Sequence, residues 1–375
     1  MAFSFRKLGK RFFILANVLI AFVFLLACLQ PWLNPETFWF MGFLGIAFPY
    51  LILILLIFFF FWLFIKPRYI LITLISFLIG WKQIDAIFNL HRGKFALQKP
   101  ADHLRLMSWN VKAFQGFVPG TKEEKWVNAE KIFALIENTN PDVVCFQEFG
   151  QYDSPTVKRD YIGFMKNIGF DYYVLSKDYT RVTFGYSSGL AIFSKFPFIK
   201  TKKLPFTSSP ESVLYADIAL QNDTIRIFTT HLQSYKFSGH DYRDIQKIRN
   251  SEDSIYEASL NIFSKMKRAF RNRAGQSNML RPILDSCPYP ELITCDMNDV
   301  PTSYAYWQLR GTRKDAFLEK GFGIGRSFMA LAPSLRIDYI LADDRFEVNQ
   351  FTTMQKKYSD HLPLVADVQI KPNSK

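Results

Sequence analysis

Between Thr37 and Ile65 the chain runs 29 residues without a charged side chain. A stretch that apolar must leave water. As a helix at 1.5 Å per residue it would be about 43 Å long, against a hydrocarbon core of about 30 Å. It must tilt, kink near Pro49 or emerge at one end. An earlier uncharged run, Phe12–Leu29, has 18 residues and follows Arg6, Lys7, Lys10 and Arg11. A third, Tyr69–Trp81, has 13 and reaches spanning length only if Lys82 snorkels and Ile84–Leu90 continues the helix. The sequence therefore predicts an anchor over residues 1–92 with two or three transmembrane helices, at about 12–29, 37–65 and 69–88.

Charge gives this anchor a direction. Residues 1–100 hold ten Lys/Arg against two Asp/Glu, so +8 of the chain's +13 lies there. The loop Gln30–Glu36 has no Lys or Arg, whereas Lys66 and Arg68 separate the second run from the third. Basic loops stay cytoplasmic, so three spans predict a multi-pass protein whose remaining residues lie outside the cytoplasm. If only two runs span, those residues lie inside. Cys28 after Leu-Leu-Ala is a weak lipidation or cleavage pattern, and the later apolar runs favour a retained span. The remaining +5 belongs to an ordinary charge mixture, so the pI of 9.4 is weak evidence for nucleic-acid binding.

From Leu104 onward, short β-rich runs alternate with charged helical stretches. Strands are predicted at Leu104–Trp109, Val143–Phe146, Leu190–Ser194, Leu292–Cys295, Leu335–Leu341 and Val365–Ile370. Val213–Leu220 and Thr224–Thr230 flank Gln221-Asn222-Asp223 as a hairpin. Lys122–Asn138 reads as a helix with Trp126, Ile132, Phe133 and Ile136 along one side, and Ile245–Phe270 reads as mostly helical. Gly321-Phe-Gly323-Ile-Gly325 lacks the context of a dinucleotide loop and reads as a flexible connection. Hairpins mixed with helices point to an α+β domain with two sheets covered by helices.

Several strands end in polar groups: Asn110, Glu148, His231, Asp296 with Asn298, Asp338, and Asp360-His361. One such ending is ordinary turn chemistry; six with complementary groups are not. Glu, Asp and Asn are hard oxygen donors suited to Mg²⁺, Mn²⁺ or Ca²⁺, and no spacing argues for zinc. No nucleophile elbow or Walker loop is present. A hard cation beside imidazoles and a carboxylate base suits hydrolysis of a phosphate ester.

Ser-Trp-Asn110, Gln-Glu148, Ser-Gly-Leu-Ala-Ile-Phe-Ser-Lys-Phe-Pro197, Thr-His231-Leu, Asp296-Met-Asn298, Ile-Asp338-Tyr and Ser-Asp360-His361 follow one another in a meaningful order. That order and spacing resembles the exonuclease–endonuclease–phosphatase superfamily over residues 103–371. The superfamily includes deoxyribonuclease-like nucleases, abasic-site endonucleases, inositol-polyphosphate phosphatases and neutral sphingomyelinases. The resemblance implies a four-layer α/β/β/α sandwich and a Mg²⁺- or Mn²⁺-dependent phosphoesterase. It implies Glu148 as principal metal ligand, Asn110 holding the metal site directly or through water, and Asp360 near the metal. Asp296 would deprotonate the attacking water, with Asn298 positioning it. His231 and His361 would bind the non-bridging oxygens, and Asp338 would fix His361.

Two departures accompany the resemblance. Lys112 stands where some relatives carry an acid, and Cys295 stands where relatives often have Gly. Cys295 and Cys145 read as core residues, and a Cys287–Cys295 disulfide is a minor alternative. Tethering to the bilayer favours a lipid headgroup or another exported phosphoester as substrate. The alternatives are an extracytoplasmic nuclease and a non-catalytic tethered module. Lys265, Lys267, Arg268, Arg271 and Arg273 read as either a solvated helix face or an anion-binding patch. The bilayer is an expected partner, and no protein partner is expected.

Overall fold

The computed structural model describes residues 2–91, 93–116, 122–153, 160–207, 209–220, 223–250 and 255–372. Two sheets dominate the region after residue 103. One runs in the order 346–353, 364–370, 104–110, 143–152, 186–194, 172–175, with 179–181 also on 186–194. The other runs 314–315, 338–342, 291–296, 223–231, 212–220, 198–205. Each contains one parallel pair: 104–110 with 143–152, and 223–231 with 291–296. Parallel neighbours need long crossovers, supplied here by the helix Lys122–Thr139 and by the helices Gly239–Asn250 and Ile255–Asp285.

Burial follows from that arrangement. Leu106, Cys145 and Ile192 of the first sheet share one apolar cluster with Ala216, Ile227 and Leu292 of the second. The first sheet's other face packs Met107, Phe146 and Phe193 against Ile132, Phe133 and Ile136 of the crossover helix. The second sheet's other face packs Phe228, Ile293 and Cys295 against Leu280, Leu284 and Tyr306. Central strands covered on both faces read as continuous rather than alternating runs, and all seven residues of Leu104–Asn110 are buried. All four cysteines are free, with Cys145 and Cys295 in the core, so Cys287 and Cys295 do not pair.

Arg105 is the exception inside that strand. Its guanidinium donates to both oxygens of Asp367 at 2.7 and 2.8 Å and to the carbonyls of Leu97, Thr139 and Ala96. Every donor of a buried cation is thereby used.

The N-terminal region is helical over Ala2–Ala27 and Met41–Ile65, the latter containing Pro49. Two stretches, Leu8–Trp32 and Met41–Ile65, are long and apolar enough to cross a membrane. The third run differs from expectation. Its helix covers Ile70–Ile79, breaks at Gly80 and resumes only over Trp81–Asp85. A Cβ at Gly80 would lie 2.6 Å from the Phe24 ring, so the break packs closely on the first helix and only glycine fits there. The helix does not continue to Leu90. Asn89–Leu90 instead pairs with Phe322–Gly323, so the glycine-rich segment taken as a loose connection forms a seam.

Lys10 gathers with Tyr69 at one end of these helices, and Lys82 lies at the other, over Trp307. Lys10 lies 5.5 Å from the Tyr69 ring, which also touches Trp62. At the opposite ends, Phe43 stacks on Phe263 at 5.0 Å and Gln83 donates to the Cys28 carbonyl. The sheet domain therefore meets the helices at the end bearing the loop without Lys or Arg.

Other boundaries shift modestly. The predicted 245–270 helix is two, Gly239–Asn250 and Ile255–Asp285, and residues 251–254 lie outside the described set. Turn residues Gln221 and Asn222 and the Trp126 side chain also lie outside it. The strand expected from Leu335 starts at Asp338, because the Leu335 and Ile337 carbonyls accept from Ser327 and Met297 instead.

Truncating one member of a buried, fully bonded ion pair strands the other. Arg105→Ala is expected to destabilise the fold by about 3–5 kcal/mol, read by denaturant unfolding in detergent. Arg105→Met combined with Asp367→Leu should recover much of that loss.

A candidate active site where the two sheets end

The parallel pairs bring four strand ends to one place. Asn110 and Glu148 arrive from the first sheet, His231 and Asp296 from the second, where they are register partners. Asp338 faces Asp296 across the next, antiparallel strand. Glu148 is aimed by a bulge: register is lost between Phe146 and Phe149, and Glu148 takes φ +52°. A bulge of this kind turns a side chain out of the ladder. The site is thus built by topology, with one local distortion.

Asp296 is fully buried at the centre. Its Oδ2 accepts from the Asn110 amide at 2.9 Å, and its Oδ1 accepts from the Asn298 backbone N–H at 2.9 Å. His231 Nε2 lies 3.5 Å from Oδ2 and His361 Nε2 3.7 Å from it. Burial raises the Asp296 pKa, opposed mainly by His361. Asn110 also donates to Glu148 Oε1 at 3.1 Å, while its own Oδ1 accepts from the Lys112 backbone N–H. Asn110 therefore presents its amide nitrogen to both carboxylates and ties the sheets together. Gln147 adds a second tie by donating to Thr229 at 3.1 Å.

His361 Nδ1 sits 3.0 Å from both oxygens of Asp338. Burial by itself would lower its pKa, but Asp338 and then Asp296 outweigh it, and the value rises to about 10. The ring is therefore charged near neutrality and presents Nε2–H toward Asp296. Trp109 donates to the His361 carbonyl, and Ser327 accepts from the Asp338 backbone N–H, fixing both partners. His231 is different: its Nε2 is buried with no hydrogen-bond partner. An unpartnered buried donor at a cleft suits a ligand oxygen.

The donor set bears on a cation. Asp296, Asp338 and His361 offer ligand atoms within 4.8 Å of one another. Within that trio His361 Nδ1 bonds Asp338, while its Nε2 lies 3.7 Å from Asp296, so the three form an ion-paired cluster. Glu148 fits a hard cation: its side chain is 42% exposed and borders the cleft. Asp360 also borders the cleft, but Lys112 Nζ holds it at 2.7 Å and Ser359 donates to its other oxygen.

All the predicted residues meet here. Glu148, Asp296, Asn298, Asp360 and His361 line one cavity of about 160 Å³, and Asn110, His231 and Asp338 bond or abut them from behind. The other wall is largely apolar and aromatic: Tyr235, Tyr242, Phe328, Leu331 and Leu335. Sequence reasoning missed this wall. Tyr235 and Phe237 were approachable as residues just beyond the His231 strand, whereas Phe328 and Leu331 carry no local signal.

Residues 107–287 match the endonuclease/exonuclease/phosphatase family, and residues 10–87 match a domain of unknown function. No curated protein matches the sequence significantly. Among solved structures, an endonuclease/exonuclease/phosphatase protein from Beutenbergia cavernae is 20% identical, with TM-score 0.50 over 72% of each chain. The human Nocturnin catalytic domain with bound sulfate is 16% identical, with TM-score 0.50 over 73% of this chain and 97% of that one. A family protein from Leptotrichia buccalis is 13% identical, with TM-score 0.50 over 71% of this chain and all of that one. At such identities the likeness concerns the fold.

Asp338→Asn removes the largest influence holding His361 charged, so the His361 pKa should fall toward the ordinary 6.5, as read by NMR titration. The sign for stability follows from the raised value. The pair's contribution is complete below pH 6.5 and disappears as pH climbs through about 10. The wild type should lose stability over that interval, and the variant should lose much less.

Proposed function

We propose, from the premise that the part of the chain after the apolar helices belongs to the endonuclease/exonuclease/phosphatase family, that it is a membrane-anchored, divalent-metal-dependent phosphoester hydrolase. The observation that carries this reading is the buried Asp296, held between two imidazoles and an amide at the mouth of both sheets. The family's phosphoesterase fold supports a metal-dependent hydrolase; the roles below are our own assignment.

Asp296 accepts the proton of the attacking water, with Asn298 orienting that water from the following turn. Asn298 is well suited, since its φ of +52° and its bond to the Leu232 carbonyl fix it in the cleft. His231 donates to one non-bridging oxygen, using the nitrogen that otherwise has no partner. His361 donates to another as negative charge accumulates, and Asp338 keeps its tautomer and charge. Glu148 would hold Mg²⁺ or Mn²⁺, with Asn110 orienting the carboxylate. Asp360, already paired with Lys112, would be a weaker ligand than Glu148. When bound, the cation supplies polarisation of a phosphoryl oxygen and charge neutralisation.

The apolar wall favours a phosphate joined to an apolar or aromatic group over a long polyanion. So does the basic cluster, which is depleted by internal pairing: Lys265 is bound to Asp241 and Arg273 to Asp299. We therefore favour a lipid headgroup or similar exported phosphoester over nucleic acid. Full retention of the six polar endings argues against a non-catalytic module. Three passages across the bilayer, with Lys10, Lys66 and Arg68 cytoplasmic, would set the catalytic cleft outside the cytoplasm.

Activity on a generic phosphodiester should vanish in excess EDTA and return with Mg²⁺ or Mn²⁺. Asp296→Asn, His231→Ala and His361→Ala should each slow turnover by about 10²–10⁴ with the fold retained. Near-normal rates in all three would refute the assignment. For topology, alkaline phosphatase fused after Lys375 should be active and a cytoplasm-only fluorescent protein there should be dark. Fluorescence at that position would move the cleft inside the cell.

A further inference from the structure

We propose that one face of the helix Ile255–Asp285 binds the phosphate-bearing headgroup of an anionic membrane lipid, apart from the catalytic cleft. The proposal rests on insertion of the apolar helices and not on the hydrolase reading. Ser264, Lys267, Arg268, Arg271 and Asn272 recur at spacings of three and four, which is one stripe of a helix. Together with Glu36 from the loop between the two long apolar helices, they line a cavity of about 400 Å³.

Three observations narrow the ligand. Lys265 and Arg273 are occupied by buried carboxylates, whereas Lys267, Arg268 and Arg271 have no ion-pair partner among the described residues. Three uncompensated cations against one carboxylate leave a local excess of +2, and two are guanidiniums suited to forked phosphate contacts. Ser264 and Asn272 add neutral donors. Glu36 itself is held by the Asn34 side-chain amide at 3.0 Å, which fixes it at the cavity's rim.

Location selects a lipid as the source of that phosphate. Lys267 lies 4.6 Å above the Trp39 ring, and Phe263 and Phe270 of the same helix pack on Trp39 and Phe43. Trp32 and Phe40 stand 66% and 44% exposed on the same loop. Aromatic side chains of this kind mark the headgroup level of a bilayer, where clustered basic residues meet anionic lipid. The cations form one compact pocket at that level, not a track along which a polynucleotide would lie.

The test uses the full chain in detergent, with lipid adducts counted by native mass spectrometry. Phosphatidylglycerol and phosphatidylcholine of identical acyl chains are compared, with inorganic phosphate and a short oligonucleotide as competitors. Phosphatidylglycerol should be retained at least tenfold better, and the Lys267→Gln/Arg268→Gln/Arg271→Gln variant should lose most of that preference. Glu36→Gln, which deletes the opposing carboxylate, should bind more tightly. That variant decides the matter should the triple change unfold the chain, which its melting temperature reports. Equal retention of both lipids, or no gain in Glu36→Gln, would overturn the proposal. Displacement by inorganic phosphate at matched concentration would make this a free-phosphate site. Displacement by the oligonucleotide alone would make it a polyanion site.

Discussion

Asp296 is a carboxylate without exposed surface, and the arrangement of both sheets answers to that fact. Burying an unpaired charge costs several kcal/mol, so its hydrogen bonds and opposing charges have to be delivered together. They come from separate parts of the chain: the Asn110 amide, the Asn298 N–H and the charged imidazole of His361, with the His231 ring 3.5 Å away. A slip of one residue in either parallel pair would turn the opposing side chain to the other face of its sheet. Register in both sheets and the charge state of the site are therefore one problem with one solution.

Much of this was legible in the sequence because strand ends are local. The runs Leu104–Trp109, Val143–Phe146, Thr224–Thr230 and Leu292–Cys295 announce themselves as β-rich stretches followed by a polar group, and each lies within an observed strand. The structure adds how far some runs continue. Val143 was expected to stop at Phe146, but the strand reaches Tyr152 by absorbing Gln147 and Glu148 in a bulge. No propensity rule anticipates a positive φ at a glutamate. The strands Phe198–Pro205 and Phe346–Thr353 were missed because their burial is partial and their polar content high, and Tyr172–Leu175 because it is short and half exposed.

Long-range partners were the second blind spot. Lys112 was noticed only as a departure in residue type, and its ion pair with Asp360 spans distant parts of the chain. Arg105 puts a charge into a fully buried strand, and Asp367 with the Leu97, Thr139 and Ala96 carbonyls explains it. The third apolar run is not one continuous helix, and at its break Gly80 packs on Phe24 and Cys28, residues remote in sequence. In each case the deciding atom belongs to a segment that no window around the residue contains.

The seam between Asn89–Leu90 and Phe322–Gly323 is reinforced where Arg336 donates to the Ala86 carbonyl at 2.7 Å. The N-terminal helical region thus passes into the sheet domain without a free tether. On the proposed reading, the cleft cannot swing to sample a volume of solution; it is carried at one height above the bilayer. Encounter with a lipid then becomes a two-dimensional search, limited by lateral diffusion and membrane fluidity. A soluble molecule of the same chemistry would have to find the cleft from the third dimension unaided.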